Sequence, residues 1–207
     1  MGNFNEKFYD DAWESWGDMV RYSPAPRHRR RIILKLLNHI SFNSILDVGC
    51  GSGFMLKMIG QKYEVTLSGI DISDKVILIN RNDFLNIDFD KVDITKKYLP
   101  KMFDCVVASE VIEHLVDFEN ALINLTKMTS RYLIITVPSS PIFPSDKKVG
   151  HVRHFNGGGI DEIKDILEKE KFNIISKKKW GYPFFNIYKH LINGIGSKKI
   201  QNSFLDV

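Results

Sequence analysis

The stretch Ile45-Leu46-Asp47-Val48-Gly49-Cys50-Gly51-Ser52-Gly53-Phe54 determines which fold the rest of the chain can adopt. Its apolar residues predict the end of a buried strand, and the run from Phe54 to Tyr63 predicts a helix. Three glycines join the two elements. Because glycine has no Cβ, this backbone can take positive φ and lie against a ligand. The helix N-terminus adds free N–H groups and a partial positive charge, so the unit is typical of a cofactor site.

The spacing of these glycines distinguishes between classes of cofactor. A dinucleotide fingerprint requires G-x-G-x-x-G, whereas this chain has Gly49-x-Gly51-x-Gly53 with Asp47 shortly before it. The pattern resembles motif I of the S-adenosylmethionine (SAM)-dependent methyltransferases with a Rossmann-like fold. The resemblance implies that the glycines approach the methionine part of SAM and that Asp47 holds its amino end. A nicotinamide dehydrogenase is disfavoured because the third glycine is misplaced.

Length and composition predict one globular domain. The chain has 207 residues, of which 43% are hydrophobic and 26% charged, and its net charge is only +4. The basic runs Arg27–Arg31 and Lys177–Lys179 are interpreted as solvated faces, so nucleic acid is not expected as a partner. No apolar run is long enough to span a bilayer. Cys50 and Cys105 show no disulfide framework, which favours a cytoplasmic location. Nothing in the sequence indicates the oligomeric state.

Apolar runs alternate with amphipathic segments along the chain, which predicts an α/β fold. The resemblance implies a doubly wound, mostly parallel sheet with strand order 3-2-1-4-5-(7)-6 and helices on both faces. The predicted strands are Ser44–Val48, Val65–Asp71, Ile87–Val92, Phe103–Ala108, Tyr132–Val137 and Phe172–Lys178. The predicted helices are Pro26–Asn38, Phe54–Tyr63, Ser73–Asn82, Phe118–Met128 and Ile160–Lys171.

The two ends of the chain are expected to flank this core. The single methyltransferase domain is divided into an N-terminal helical cap (1–40), a SAM-binding core (41–180) and a C-terminal apolar segment (181–207). In the resembled family, leading helices cover the cofactor, although the aromatic residues of this cap could simply pack on the domain. The C-terminal segment looks more helical than strand-like. It leaves three roles open: part of the acceptor pocket, a dimer contact, or a surface that rests on a membrane.

Acidic residues at strand ends are the candidate nucleoside contacts. Asp71 ends the second strand, where a carboxylate can accept both hydroxyls of a ribose, and helix capping is its alternative role. The family resemblance implies an adenine contact for Asp93, with an ordinary loop aspartate as the alternative. The predicted cofactor site is completed by Ile72, Ile94 and Ser109.

The residues after the fourth strand, Ser109 to Asp117, are the candidate acceptor site. As a short helix they place Glu110, Glu113, His114 and Asp117 on one face. The resemblance extends to ubiquinone-biosynthesis O-methyltransferases and small-RNA 2′-O-methyltransferases, whose similar E-x-x-E-H binds a divalent cation. That likeness implies a partial metal shell of Glu110, Glu113 and His114. A polar pocket rim with His114 as general base, and a solvated helix face, remain open.

The loop after the fifth strand carries further candidates. His154 is predicted to complete the metal shell or to act as the base, and His151 is an alternative. Arg153 is a candidate for binding an anionic group of the acceptor.

Together these features favour a SAM-dependent enzyme that methylates an oxygen of a small-molecule, sugar or lipid-linked acceptor. His114 or His154 would remove the acceptor proton, or a divalent cation would lower its pKa. Two alternatives remain: a metal-dependent RNA 2′-O-methyltransferase, and a SAM-binding or scaffold protein without turnover.

Overall fold

The structure, a computed structural model, describes residues 23–139, 152, 153, 155 and 159–180. The chain divides into two units, Met1–Asn173 and Ile174–Val207, and every helix and strand described below belongs to the first. The aromatic N-terminal stretch and the apolar segment 181–207 lie outside the described residues, so the roles expected for them stay predictions.

Five parallel strands form one sheet in the order β3-β2-β1-β4-β5. This arrangement confirms the doubly wound α/β fold. The chain runs from β1 outward to β3, then returns to pair β4 on the other side of β1. The strands are β1 Ser44–Val48, β2 Thr66–Asp71, β3 Asp88–Lys91, β4 Phe103–Ser109 and β5 Thr129–Thr136.

Local sequence signals account for where several helices begin. A proline lies in the first turn of α1, where its missing N–H has no cost. The Ser73 hydroxyl accepts the N–H of Val76 and caps α3, while the Asp117 carboxylate accepts the N–H of Asn120 and caps α4. The helices are α1 Pro24–Leu37, α2 Phe54–Gly60, α3 Asp74–Asp83, α4 Phe118–Lys127 and α5 Gly159–Lys169.

The two faces of the sheet bury separate hydrophobic cores. Along β1, Ile45 faces the core formed with α1, α2 and α3, and Leu46 faces the core formed with α4 and α5. Strands buried on both faces are nearly continuous apolar runs, as parallel strands require. None of the helices formed by the described residues combines the length and apolar character of a membrane span.

The predicted sixth strand, Phe172–Lys178, is wrong. Residues 172–180 form neither helix nor strand, and 80% of Ile175 is exposed. A strand needs a neighbour to pair its N–H and C=O groups, and within the described ranges the sheet ends at β5. The strand order that the structure confirms is therefore 3-2-1-4-5.

This topology fixes where a ligand can bind. Strand order reverses between β1 and β4, and open α/β sheets bind ligands at the carboxyl ends of the strands beside such a switch point. The residues that follow β1, β2 and β4 include most of the sequence-predicted site.

Packing of α4 on the sheet generates a stability prediction. Leu122 on α4 has no exposed surface, so Leu122→Ala is expected to lower the free energy of unfolding by about 2–5 kcal/mol. Urea unfolding followed by circular dichroism measures the change. The control is Leu78→Ala on α3, where the side chain is 60% exposed and the expected loss is within about 0.5 kcal/mol. Equal losses in the two variants would contradict the packing described.

Candidate active site

The glycine turn, Gly49 to Gly53, connects β1 to α2 and has the backbone geometry that the sequence predicted. Gly49, Gly51 and Gly53 have φ of 66°, 48° and 66°. These left-handed conformations favour glycine. A Cβ on Gly49 would lie 2.5 Å from Cγ2 of Val111, so a side chain there would collide with the residue that follows Glu110.

Asp71 lies directly across from the glycine turn. One carboxylate oxygen accepts the N–H of Gly51 at 2.9 Å, and the other accepts the N–H of Ser73 at 3.0 Å. The side chain is buried, with 7% exposure. Ser73 is the N-cap of α3 and Asp71 accepts its N–H, so the ribose contact and the capping role of Asp71 with Ser73 both stay predictions. The end of β2 and the glycine turn are thus joined through one carboxylate.

Asp47 supplies a second buried carboxyl group beside Asp71. Burial, and after it the negative charge of Asp71, together raise the pKa of Asp47 to about 7. Two neighbouring carboxyl groups in a buried setting favour a cationic ligand group, because a nearby positive charge favours the ionised form of a carboxyl group.

Asn80 was missed by the sequence analysis. It lies on the buried face of α3 with 1% exposure, and its Nδ2 donates to the carbonyl of Gly51 at 2.6 Å. The available signal was a polar residue continuing the buried stripe of Val76 and Ile77. Cys50 lies beside Asn80, and burial raises the pKa of its thiol well above the ordinary value, which disfavours the reactive thiolate.

Asp93 has local partners for both carboxylate oxygens. One accepts the backbone N–H and the hydroxyl of Thr95, and the other pairs with Lys96 Nζ at 2.8 Å. Burial alone would raise the pKa of Asp93, but the hydrogen bonds from Lys96 and Thr95 outweigh it and lower the pKa. An adenine contact would therefore share this carboxylate with Thr95. Ile94 is buried and Ile72 half-buried, and their cofactor contacts stay predictions.

The predicted short helix from Ser109 to Asp117 is wrong. Glu110 has φ of 58°, and its N–H donates to the carbonyl of Thr136 at 3.0 Å, which extends the pairing of β4 with β5. Only Ile112–His114 form a single 3₁₀ turn. The four polar side chains consequently do not share a face: Glu113 points into the interior and Asp117 caps α4.

Glu110 is the centre of a polar network at the ends of β4 and β5. Its carboxylate pairs with Nη1 of Arg29 at 3.0 Å and accepts the hydroxyl of Thr136 at 3.2 Å. That hydroxyl also bonds the hydroxyl of Ser109 at 3.0 Å. Arg29 was not predicted as a site residue. It belongs to the basic run of α1, for which the sequence predicts a solvated face.

Glu113 is fully buried, and among the described residues neither carboxyl oxygen has a hydrogen-bond partner. Burial, and then the negative charge of Glu110, raise the pKa of Glu113 well above its ordinary value, which disfavours its ionised form. A carboxyl group must be ionised to bind a cation, so this shift disfavours a metal at Glu113. In the described part of the chain, no three acidic, histidine or cysteine side chains come together as a metal shell. The divalent cation stays a prediction without a described ligand set.

His114 is half-buried on the 3₁₀ turn. The loop that follows β5 returns to this turn, because the N–H groups of Val152 and Arg153 both donate to the carbonyl of Glu113. The Arg153 guanidinium lies 4.0 Å from the ring centroid of Phe118 and pairs with Glu162. His151 and His154 lie outside the described residues.

Comparisons with known proteins agree with this architecture. Residues 22–190 match the family described as "Methyltransferase domain". The chain is 26% identical over 123 residues to a ubiquinone biosynthesis O-methyltransferase of Nitrosomonas europaea, covering 54% of this chain and 51% of the relative. It is 29% identical over 83 residues to (S)-coclaurine N-methyltransferase of Thalictrum flavum, covering 37% and 23%. The chain thus spans about half or less of these relatives.

A solved structure shares the fold. The N-methyltransferase NodS of Bradyrhizobium japonicum, in complex with S-adenosyl-L-homocysteine (SAH), is 20% identical, with a TM-score of 0.61 over 78% of this chain and 85% of that one. At this identity the likeness establishes the fold alone. The family match extends over most of the chain and includes the glycine turn, Asp71 and the segment after β4. The chain belongs to the methyltransferase domain family.

Proposed function

We propose that the chain is a SAM-dependent methyltransferase acting on an oxygen of a small-molecule, sugar or lipid-linked acceptor. The observation that supports this most directly is the buried Asp71 carboxylate bound across a left-handed glycine turn. The turn gives close backbone approach to a ligand, and the carboxylate suits ribose hydroxyls. The family match and the curated relatives, which are O- and N-methyltransferases, support the same activity.

Each part of the cofactor has a candidate partner in this arrangement. Asp71 would accept the ribose hydroxyls while it keeps its bond to the Gly51 N–H. Asp47 would hold the cationic amino group, which its buried position beside Asp71 favours. The N-terminus of α2 adds partial positive charge for the carboxylate. Asp93 is the candidate for the adenine.

The chain's own part in methyl transfer is mostly alignment. Bound SAM supplies an activated methyl group, whose C–S bond breaks as the bond to the acceptor oxygen forms. The protein must hold that oxygen in line and take up its proton. His114, half-buried beside the carboxyl end of β4, is the described side chain proposed to remove the proton. His154 is the second candidate.

Contacts of the basic run of α1 within the domain argue against the alternative of an RNA 2′-O-methyltransferase. Arg29 pairs with Glu110, and Arg30 is buried with its guanidinium 4.9 Å from the ring centroid of Phe54. Two of the run's arginines therefore contact this domain itself. An RNA-binding patch would need these charges at the surface, where they could meet phosphates.

Substitution of Asp71 tests the cofactor assignment. Asp71→Asn is expected to weaken SAH binding by about tenfold to hundredfold, the range lost with hydrogen bonds to a charged group. Isothermal titration calorimetry measures the affinity, and thermal unfolding without ligand separates binding from folding. Asp83→Asn, an exposed site at the end of α3, is the matched control and should bind like the wild type. Failure of the wild-type chain to bind SAH or SAM would reject the proposed function.

The raised pKa of Asp47 predicts a pH dependence of cofactor binding. Below about pH 7 the carboxyl is largely protonated and cannot pair with the amino group of SAH, so affinity should rise with pH through 7 and then level off. A carboxyl group is about one-tenth ionised at a pH one unit below its pKa and almost fully ionised at a pH one unit above it. Binding of SAH at pH 6 should therefore be about tenfold weaker than at pH 8. Calorimetric titrations across this range provide the measurement.

The Asp47→Asn variant is the control for that pH profile. It should bind SAH more weakly and with a flat profile between pH 6 and 8. A wild-type profile that is also flat, or a variant that follows the same curve as the wild type, would remove Asp47 from the assignment.

A further inference from the structure

We propose that Glu110 is a positioning residue that makes the site selective for the amino-acid half of the cofactor. Its carboxylate fixes Arg29 at the carboxyl end of β4, and its left-handed backbone directs Val111 against the glycine turn. The inference rests on the proposed use of SAM.

The backbone at Glu110 is strained and held in place. Among the described residues, Glu110 and Lys171 are the non-glycine residues with positive φ. Lys171 follows the end of α5, where a left-handed residue is ordinary. Glu110 instead lies between β4 and the 3₁₀ turn, and both its N–H and its carboxylate bond Thr136. Strain that is maintained by several contacts is characteristic of functional sites.

This backbone conformation determines the position of Val111. The left-handed conformation of Glu110 brings the Val111 side chain against Gly49. A Cβ added to Gly49 would lie 2.5 Å from Cγ2 of Val111. Val111 therefore forms the β4 side of the glycine turn. A helical conformation at Glu110 would carry Val111 elsewhere and leave that side of the turn open.

The carboxylate of Glu110 determines the position of Arg29. The two side chains are only 17% and 24% exposed, and the 3.0 Å pair limits where the guanidinium can point. The next residue, Arg30, stacks on Phe54 at the start of α2. The consecutive residues Arg29 and Arg30 therefore anchor α1 to the end of β4 and to the start of α2.

The strand order assigns a half of the cofactor to each side of the turn. β1 lies between β2 and β4. If Asp71 at the end of β2 takes the ribose, the amino-acid half must extend toward the end of β4, where Glu110 and Arg29 meet. The Arg29 guanidinium complements the carboxylate of the amino-acid half, and the pair with Glu110 keeps the guanidinium directed toward that carboxylate.

A pair of ligands separates this role from general stabilisation. SAH contains the amino-acid half, whereas 5′-methylthioadenosine has the nucleoside and sulfur without it. Glu110→Gln is expected to weaken SAH binding about tenfold and 5′-methylthioadenosine binding less than twofold, measured by calorimetry. Glu119→Gln, at an exposed position of α4, carries the same charge change and should alter neither affinity. Equal losses for both ligands, or no loss for either, would overturn the inference and leave the proposed function standing.

Two further variants test the two parts of the role. Glu110→Gly removes both the carboxylate and the cost of a positive φ at a non-glycine residue. It should therefore fold at least as stably as Glu110→Gln and still bind SAH more weakly than the wild type, with 5′-methylthioadenosine binding unchanged. The double variant Arg29→Gln/Glu110→Gln should bind SAH no more weakly than the weaker-binding of the two single variants, because each substitution alone already breaks the Arg29–Glu110 pair. Losses of SAH affinity that add up fully in the double variant would overturn the coupling between the two residues. Arg31→Gln, exposed on the same helix, is the control. A wild-type chain that binds neither ligand would reject both the inference and the proposed function.

Discussion

The carboxylate of Asp71, with its hydrogen bonds to the N–H groups of Gly51 and Ser73, is the contact on which the rest of the site depends. A buried charge is tolerated only when its oxygens have donors, and here the donors come from the glycine turn and from the start of α3. The turn is left-handed at its three glycines, and the Asp71 charge adds to the buried Cys50 side chain and the bond from the Cys50 N–H to the Ile70 carbonyl in fixing its position relative to the sheet. Neighbouring groups then act on a defined geometry: Asn80 holds the Gly51 carbonyl, and Asp47 lies close enough for its pKa to respond to Asp71.

Much of this arrangement could be predicted from the sequence because its determinants are local or topological. The glycine spacing marks the turn, and a parallel sheet brings the ends of β1 and β2 together whatever the loops do. The segment after β4 could not be predicted in the same way. Its spacing matches one face of a helix, but Thr136 captures the N–H of Glu110 and draws the chain into the sheet. That competing bond comes from a different strand, so the periodicity of the segment cannot reveal it.

Other differences from the sequence analysis have the same origin. The predicted sixth strand has suitable residues but no paired neighbour in the described part of the chain, and strand formation depends on the partner as much as on propensity. Arg29 belongs to a run that looks solvated, and its role depends on Glu110 being turned toward α1. Asn80 is different, since a polar residue in a buried helical stripe is visible without the structure. The parts of the site made by one strand–turn–helix unit were therefore predictable, whereas those made between distant segments were not.

The position of β1 at the centre of the sheet has a consequence for the order in which the chain acquires its ligand-binding surface during synthesis. The neighbours of β1 are β2, which follows it closely, and β4, which is separated from it by the whole β2–α3–β3 segment. Short-range pairings form faster than long-range ones. The side of the glycine turn that is bonded to Asp71 can close as soon as β2 and α3 leave the ribosome, while the side formed by Val111 must wait for β4 and β5. In a chain that has emerged only as far as α3, the β4 flank of the central strand has no partner strand yet.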